Sequence, residues 1–256
     1  MKENTASIRT IQILHLVAGS QRGLTITEIS QALKIPKSTT YQILHTLAGI
    51  KVLEVNRDKT FRPGIRFFEI ALPTLDRMDL RREGQSILES LGARSGETVF
   101  MAAHDVGEIV YLDQVEGPSM LRLSVSRGSR GPMHCTALGK AILAALAEDE
   151  VRRIIGNGEL PAETEFTITD YDRLTADLKA ARERGFAVDQ RELLPDISCV
   201  AAPVYDSSGA PVAALSIASH ASKMTPERVS VLGEYVKEAA LNLSRRLGFQ
   251  GPRLFS

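Results

Sequence analysis

Lys37, Ser38, Thr39, Thr40 and Gln42 stand almost side by side, and together they could hydrogen-bond a polyanion. They interleave with Tyr41, Ile43, Leu44 and Leu47. A helix starting at Pro36 would anchor itself through that apolar set, Tyr41 included. Its N-terminal half would then offer short hydroxyls, an amide and a lysine to phosphates or base edges in a DNA groove. Arg57 and Lys59 make a second basic pair downstream.

A different chemistry is open to the run from Gly131 to Ala141, GPMHCTALGKA. A glycine-containing loop enters a helix near Thr136, whose first N–H groups, from Cys135 to Leu138, have no partner within the helix. Such an end favours a carboxylate or another anion, and Met133 would add an adaptable apolar wall. An ordinary capped helix packing through Ala137 and Ala141 would leave the same trace. Asp189, Cys199, Ser216 and Ala218 lie at or near later strands. Cys199, Ala201 and Pro203 share one face of theirs, as do Ser216 and Ala218 of the next. One acid, one thiol and one hydroxyl in apolar surroundings suit a pocket for a small polar organic molecule. No base–nucleophile pair stands out, so these residues point to sensing rather than turnover.

Other chemistries find little support. The chain has no G-x-G-x-x-G after a strand, no P-loop, no nucleophile elbow and no H-E-x-x-H. None of the five histidines has metal-ligand spacing with another His or Cys except His134-Cys135, whose side chains diverge if extended. No cofactor and no metal are expected. A hydrolase using Cys135 or Cys199 stays open, because its partners would meet only in space. The two cysteines, 64 positions apart, form no disulfide framework and fit a reducing cytoplasm. No apolar run of 18 residues and no secretion signal are visible, so neither a membrane partner nor export is expected. Net charge is zero, but residues 1–72 carry 10 Lys/Arg against 5 Asp/Glu and the remaining 184 carry 21 against 26. The positive end is therefore the one suited to phosphate.

The elements that must position these residues can be read in turn. Ser7 to Val17 has apolar residues at 8, 11, 14 and 17, with 13 and 16 widening the stripe: an amphipathic helix. After GSQRG, Thr25 and Glu28 have the spacing of a capping box, followed by Ile29 and Leu33 on one inward face. A tight turn then leads into the helix bearing Lys37, the order of a helix-turn-helix. Gly49 to Val55 reads as a strand, Asn56 to Lys59 as a polar turn and Thr60 to Gly64 as the return, giving a wing with Arg57 and Lys59 at its tip. A protein-interaction module with a solvated hairpin is the plainer alternative. Ile65, Phe68, Leu72, Leu75 and Met78 continue at helical spacing across Pro73, suiting either dimer packing or burial in their own domain.

The expected domains are 1–72, a winged helix-turn-helix; 73–82, a helical linker; and 83–256, an α+β domain. In the last, helices are expected over 86–93, 136–146, 149–155, 171–184 and 226–247, and strands over 98–103, 108–115, 120–125, 198–205 and 211–219. That succession suggests a mostly antiparallel sheet flanked by helices.

At this level of detail the chain resembles the IclR family of bacterial transcription regulators over nearly its whole length. The resemblance is carried by Leu24 to Ile29, Ile35 to Tyr41, Leu44 and Thr46-Leu47, then by His134 to Ala141, Gly185 to Asp189, Glu192, Cys199 to Val204 and Ala213 to Ile217. It implies a GAF-like effector domain behind the winged helix, homodimers or dimers of dimers, and a palindromic double-stranded operator. It also implies an effector that is a small organic acid or aromatic metabolite, held by Met133, Ala137, Leu138, Asp189, Cys199 and Ser216, with Ala218 at a further pocket position. On the DNA side the candidates are Thr25, Lys37, Ser38, Thr39, Thr40, Gln42, Arg57 and Lys59. A cytoplasmic repressor is the expected function; an enzyme, or a ligand-dependent interaction module, with a regulatory N-terminal domain is the alternative. Three residues depart from the family pattern: Gln42 where Arg is usual, Asp196 where Gly is common, and Ala218 where some members have serine.

Overall fold

The computed structural model describes residues 5–20, 22–70, 79–117, 125–156 and 158–251. The chain divides into two compact units, Met1–Met78 and Asp79–Ser256. The expected strand over 120–125 falls outside the described residues except for Val125, as does the linker except for residues 79–82.

The first unit contains α1 (Thr5–Ala18), α2 (Ile26–Leu33), α3 (Lys37–Gly49), β1 (Leu53–Val55) and β2 (Phe61–Pro63), with residues 65–70 helical after it. The Thr25 hydroxyl accepts the Glu28 amide at 3.3 Å while the Glu28 carboxylate takes the Thr25 amide at 2.8 Å, so α2 starts with two of its orphan donors satisfied. Lys34 ends it in the left-handed conformation, φ 54°. Pro36 stands at the N-cap of α3, and only three residues, Lys34, Ile35 and Pro36, make the tight turn between α2 and α3. Ile13, Val17, Ile29, Leu44, Leu47, Leu53 and Phe61 form the core.

Two expectations are corrected here. Ile8 and Ile11 are 42% and 65% exposed, whereas Ile13 and Val17 are sealed. The expected stripe holds for its C-terminal part, where Ile13, Leu14, Leu16 and Val17 pack into the core, and fails at Ile8 and Ile11. The first wing strand is shorter than Gly49 to Val55: Gly49 ends α3 and Lys51 turns the chain at φ 61° before β1 begins. Gly64 must be glycine, since a Cβ there would stand 2.4 Å from the Lys51 carbonyl oxygen.

The second unit runs α4 (Asp79–Ser95), β3 (Thr98–Asp105), β4 (Glu108–Val115), β5 (Arg130–Pro132), α5 (Ala137–Ala145), α6 (Glu148–Ile155), α7 (Tyr171–Arg184), β6 (Ala187–Gln190), β7 (Ile197–Tyr205), β8 (Pro211–His220) and α8 (Pro226–Arg246). The six strands form one antiparallel sheet in the order β5-β4-β3-β8-β7-β6. Alternation along each strand builds two cores. Val99, Met101, Val200, Ala202, Leu215 and Ile217 pack with α4 and α8; Phe100, Ala102, Ala201, Ala214 and Ala218 pack with α5 and α7 on the other face. Strands β5 and β6 were not foreseen: runs of three and four residues are too short to carry a periodic signal.

Candidate nucleic-acid interface and ligand cavity

On α3 the outward residues are Lys37, Ser38, Tyr41, Gln42, His45 and Thr46, with Thr39 half-buried. Two assignments change. Thr40 is fully buried, and its hydroxyl is within reach of the Pro36 carbonyl at 3.2 Å, so it locks the start of the helix and faces no groove. Tyr41, expected among the anchors, is 52% exposed, because the inward line of α3 is 40-44-47. Thr25 also has a structural task, its hydroxyl bonded to the Glu28 carboxylate at 2.8 Å. That carboxylate is held below its ordinary range chiefly by the Thr25 amide.

Arg57 and Lys59 stand exposed at the wing tip, where Lys59 takes φ 63° and the Asn56 amide donates to the Thr60 carbonyl at 2.8 Å. Arg22 and Arg62 are neutralised by Glu28 and Glu54. Lys37, Arg57 and Lys59 have no carboxylate partner among the described residues, and so remain available to an external anion.

The second unit encloses a cavity over the α5–α7 face of its sheet. The strand register aligns Asp189, Cys199 and Ala218 in a row across β6, β7 and β8, and sets Ser216 opposite Phe100. Ala137 and Leu138, in the first turn of α5, stand above the row as cavity walls. Six of the residues expected at this site are thus brought together: Ala137, Leu138, Asp189, Cys199, Ser216 and Ala218. Met133 is not among them. It is 1% exposed in the core beneath α5, where Gly139 sits so close that a Cβ would lie 2.3 Å from the Met133 Cα.

Sequence reasoning missed Phe100, Tyr111 and Val125 on one side of the cavity, and Leu193, Leu194 and Ile197 on the other. The alternation of β3 and β4 could have flagged the first two; nothing local marks the leucines. The cavity volume is about 60 Å³, which suits a ligand of few heavy atoms.

The electrostatics of the cavity favour binding over nucleophilic chemistry. Thr136 caps α5, accepting the Gly139 amide at 3.0 Å and donating to the Pro132 carbonyl at 2.7 Å. The amides of Ala137 and Leu138 are then the open donors of the first turn. Asp189 accepts the Glu192 amide at 2.7 Å, and its burial pushes the carboxyl pKa up to about 7. Burial raises the Cys199 thiol well above its ordinary value, and that of Cys135 to about 12. Both thiols therefore stay protonated at neutral pH. No histidine lines the cavity; His134 bonds the Pro161 carbonyl at 2.8 Å instead.

Behind the cavity, Lys140 is 1% exposed and ion-paired with both Glu192 and Asp177. Burial opposes its charge, but the two carboxylates outweigh that and keep it protonated. The pair pins the chain segment that carries Leu193 and Leu194 over the ligand space. Asp196, the departure in that segment, is exposed and lies outside the cavity wall.

A winged helix with unpaired cations on its outer face, in one chain with a cavity-bearing sheet domain, defines a DNA-binding regulator with an effector-binding domain. Comparison with known proteins agrees. The model of the IclR helix-turn-helix domain matches residues 8–57, and that of the bacterial transcriptional regulator IclR C-terminal domain matches residues 72–245. The HTH-type transcriptional repressor AllR of Salmonella paratyphi A is 34% identical over 95% of this chain and 90% of its own length. AllR of Klebsiella pneumoniae is 35% identical over 94% and 89%. The crystal structure of Thermotoga maritima IclR aligns with a TM-score of 0.77 at 31% identity, covering 95% of this chain and 98% of that one. The chain belongs to the IclR family of bacterial transcriptional regulators.

Proposed function

We propose that this protein is a cytoplasmic transcriptional repressor that grips a palindromic double-stranded operator as a homodimer, or as a dimer of dimers, and whose grip is set by a small organic acid bound at the N-terminus of α5. The observation that carries the reading is the meeting, in one small cavity, of the open amides of Ala137 and Leu138 with the Asp189-Cys199-Ala218 row. The amides and helix dipole suit a carboxylate. Asp189 and Ser216 suit a hydroxyl or amide at the other end of the ligand, and the apolar walls suit a short carbon body. Repression is supported by the AllR relatives. On the DNA side Ser38, Thr39 and Gln42 enter the groove, with Lys37, Arg57 and Lys59 on the phosphate backbone beside it; Gln42 offers an amide suited to adenine. Dimer contacts have candidates in the exposed Ile8 and Ile11 and in Ile65, Phe68 and Ile70.

Sequencing the DNA fragments captured by the purified protein tests the first half. Recovery of one palindromic motif, bound with an affinity that falls steeply with salt, is the expected result; indiscriminate capture refutes it. A thermal-shift panel of short carboxylic acids tests the second half. A true effector at a hundred times its Kd adds about 2.7 kcal/mol of stability, and Cys199→Trp, which fills the cavity, abolishes the shift. An equal shift in that variant places the ligand elsewhere.

A further inference from the structure

Helix α3 turns outward two rings that its packing does not require. Tyr41 is 52% exposed and His45 is exposed beside it, while Thr40, Leu44 and Leu47 anchor the helix. The rings nonetheless stack against one another. Tyr41 and His45 have centroids 4.1 Å apart with 33° between their planes, and His45 meets Phe61 edge-on at 5.9 Å and 81°. Phe61 is 1% exposed and exchanges backbone hydrogen bonds with Leu24 at 2.8 and 3.1 Å. A ladder of three rings thus runs from the buried root of the wing to the outer face of α3. A side chain held in this way loses little further freedom on binding, which favours contact.

Helical spacing places Ser38, Tyr41, Gln42 and His45 on one face. We infer that Tyr41 reads a base of the operator, its ring resting on a thymine C5 methyl in the major groove, and that His45 is a positioning residue acting through Tyr41. The inference rests on the DNA-binding reading above. Thymine alone of the four bases presents a methyl group in that groove, and apolar side-chain contact is how it is recognised. Charge neutralisation of the backbone is already served by Lys37, Arg57 and Lys59, so a neutral, half-exposed ring between Ser38 and Gln42 is placed for a base and not for a phosphate.

The test uses the full chain and the operator selected from random DNA. Each thymine of the half-site is replaced in turn by uracil, which removes only the methyl group. Wild type is expected to lose roughly tenfold in affinity at one position per half-site, Tyr41→Ala to lose nothing further there, and its selected motif to relax at that base pair alone. The salt slope of Tyr41→Ala stays that of wild type. His45→Ala weakens the discrimination in part, and His45→Phe, which keeps the ring ladder, restores it. A wild type indifferent to uracil everywhere, or a Tyr41→Ala variant with an unchanged motif and a shallower salt slope, overturns base reading by Tyr41. Equal losses in His45→Ala and His45→Phe overturn the positioning role. Failure of wild type to select any motif overturns the DNA-binding reading itself and this inference with it. Melting curves of the variants check that the fold is unchanged, as exposure of both side chains leads one to expect.

Discussion

The two sites of this protein are built on opposite plans. On α3 and the wing, most of the residues offered to DNA have no part in the fold: Lys37, Ser38, Gln42, Arg57 and Lys59 are exposed, and the core would be complete without them. In the cavity nearly every residue has two tasks. Thr136 lines the wall and caps α5, Asp189 lines the floor and binds the Glu192 amide, and Ala218 belongs to the buried core. Operator choice can therefore drift without loss of stability, whereas a change of effector must renegotiate packing.

That contrast can be broken at several points, the largest effect first. Lys140→Met leaves Glu192 and Asp177 without their buried cation, and about 3–5 kcal/mol of stability should go with it in denaturant unfolding. A loss under 1 kcal/mol would show that the pair does not pin the cavity wall. Gly139→Ala drives a Cβ against the Met133 backbone and should cost about 1–3 kcal/mol while weakening effector binding through the displaced amides of α5. Retention of both properties would separate fold from site there.

Asp189 offers a pH-dependent version of the same comparison. Its folded pKa of about 7 lies above the unfolded value of about 3.9, so the folded state holds the extra proton between these values. Stability should accordingly decline as pH rises from about 4 to 7, and Asp189→Asn should flatten that decline in melting temperatures taken across the window. An anionic effector should also bind more tightly at pH 6 than at pH 8, where the ionised carboxylate opposes it. A wild type and variant with parallel profiles would remove Asp189 from this role.

The exposed site should respond differently. Lys37→Ala and Arg57→Ala should each lower operator affinity about tenfold and reduce the salt slope by about 1, with melting temperature unchanged. Thr25→Ala sharpens the division from the other side. As a cap it should cost about 1 kcal/mol of stability, and operator affinity measured well below the melting temperature should hardly move.

Much of this was legible from residue order. Helix starts announce themselves where a side chain within four positions satisfies an orphan amide, as at Thr25 with Glu28 and at Thr136 with Gly139. The shared faces of Cys199 with Ala201 and of Ser216 with Ala218 were legible because strand alternation assigns faces without knowledge of the partner strand; the strand that carries Asp189 was not read. Period-3.6 patterns were weaker guides. Isoleucines at 8 and 11 carry the same apolar signal as those at 13 and 29, yet burial depends on which turns of α1 meet another element.

Local interactions between near neighbours along the chain thus set the caps, most of the helices and strands, and the sign of charge at each end. Distances closed over long loops settled the rest. Thr40 faces inward because α3 packs on α2 and β1; Met133 lies outside the cavity lining because Gly139 rests on its backbone; Leu193 and Leu194 reach the cavity because Lys140, fifty-odd positions upstream, holds Glu192. Short-range hydrogen bonds are encoded in spacing, but which face of an element loses its water is a property of whatever packs against it.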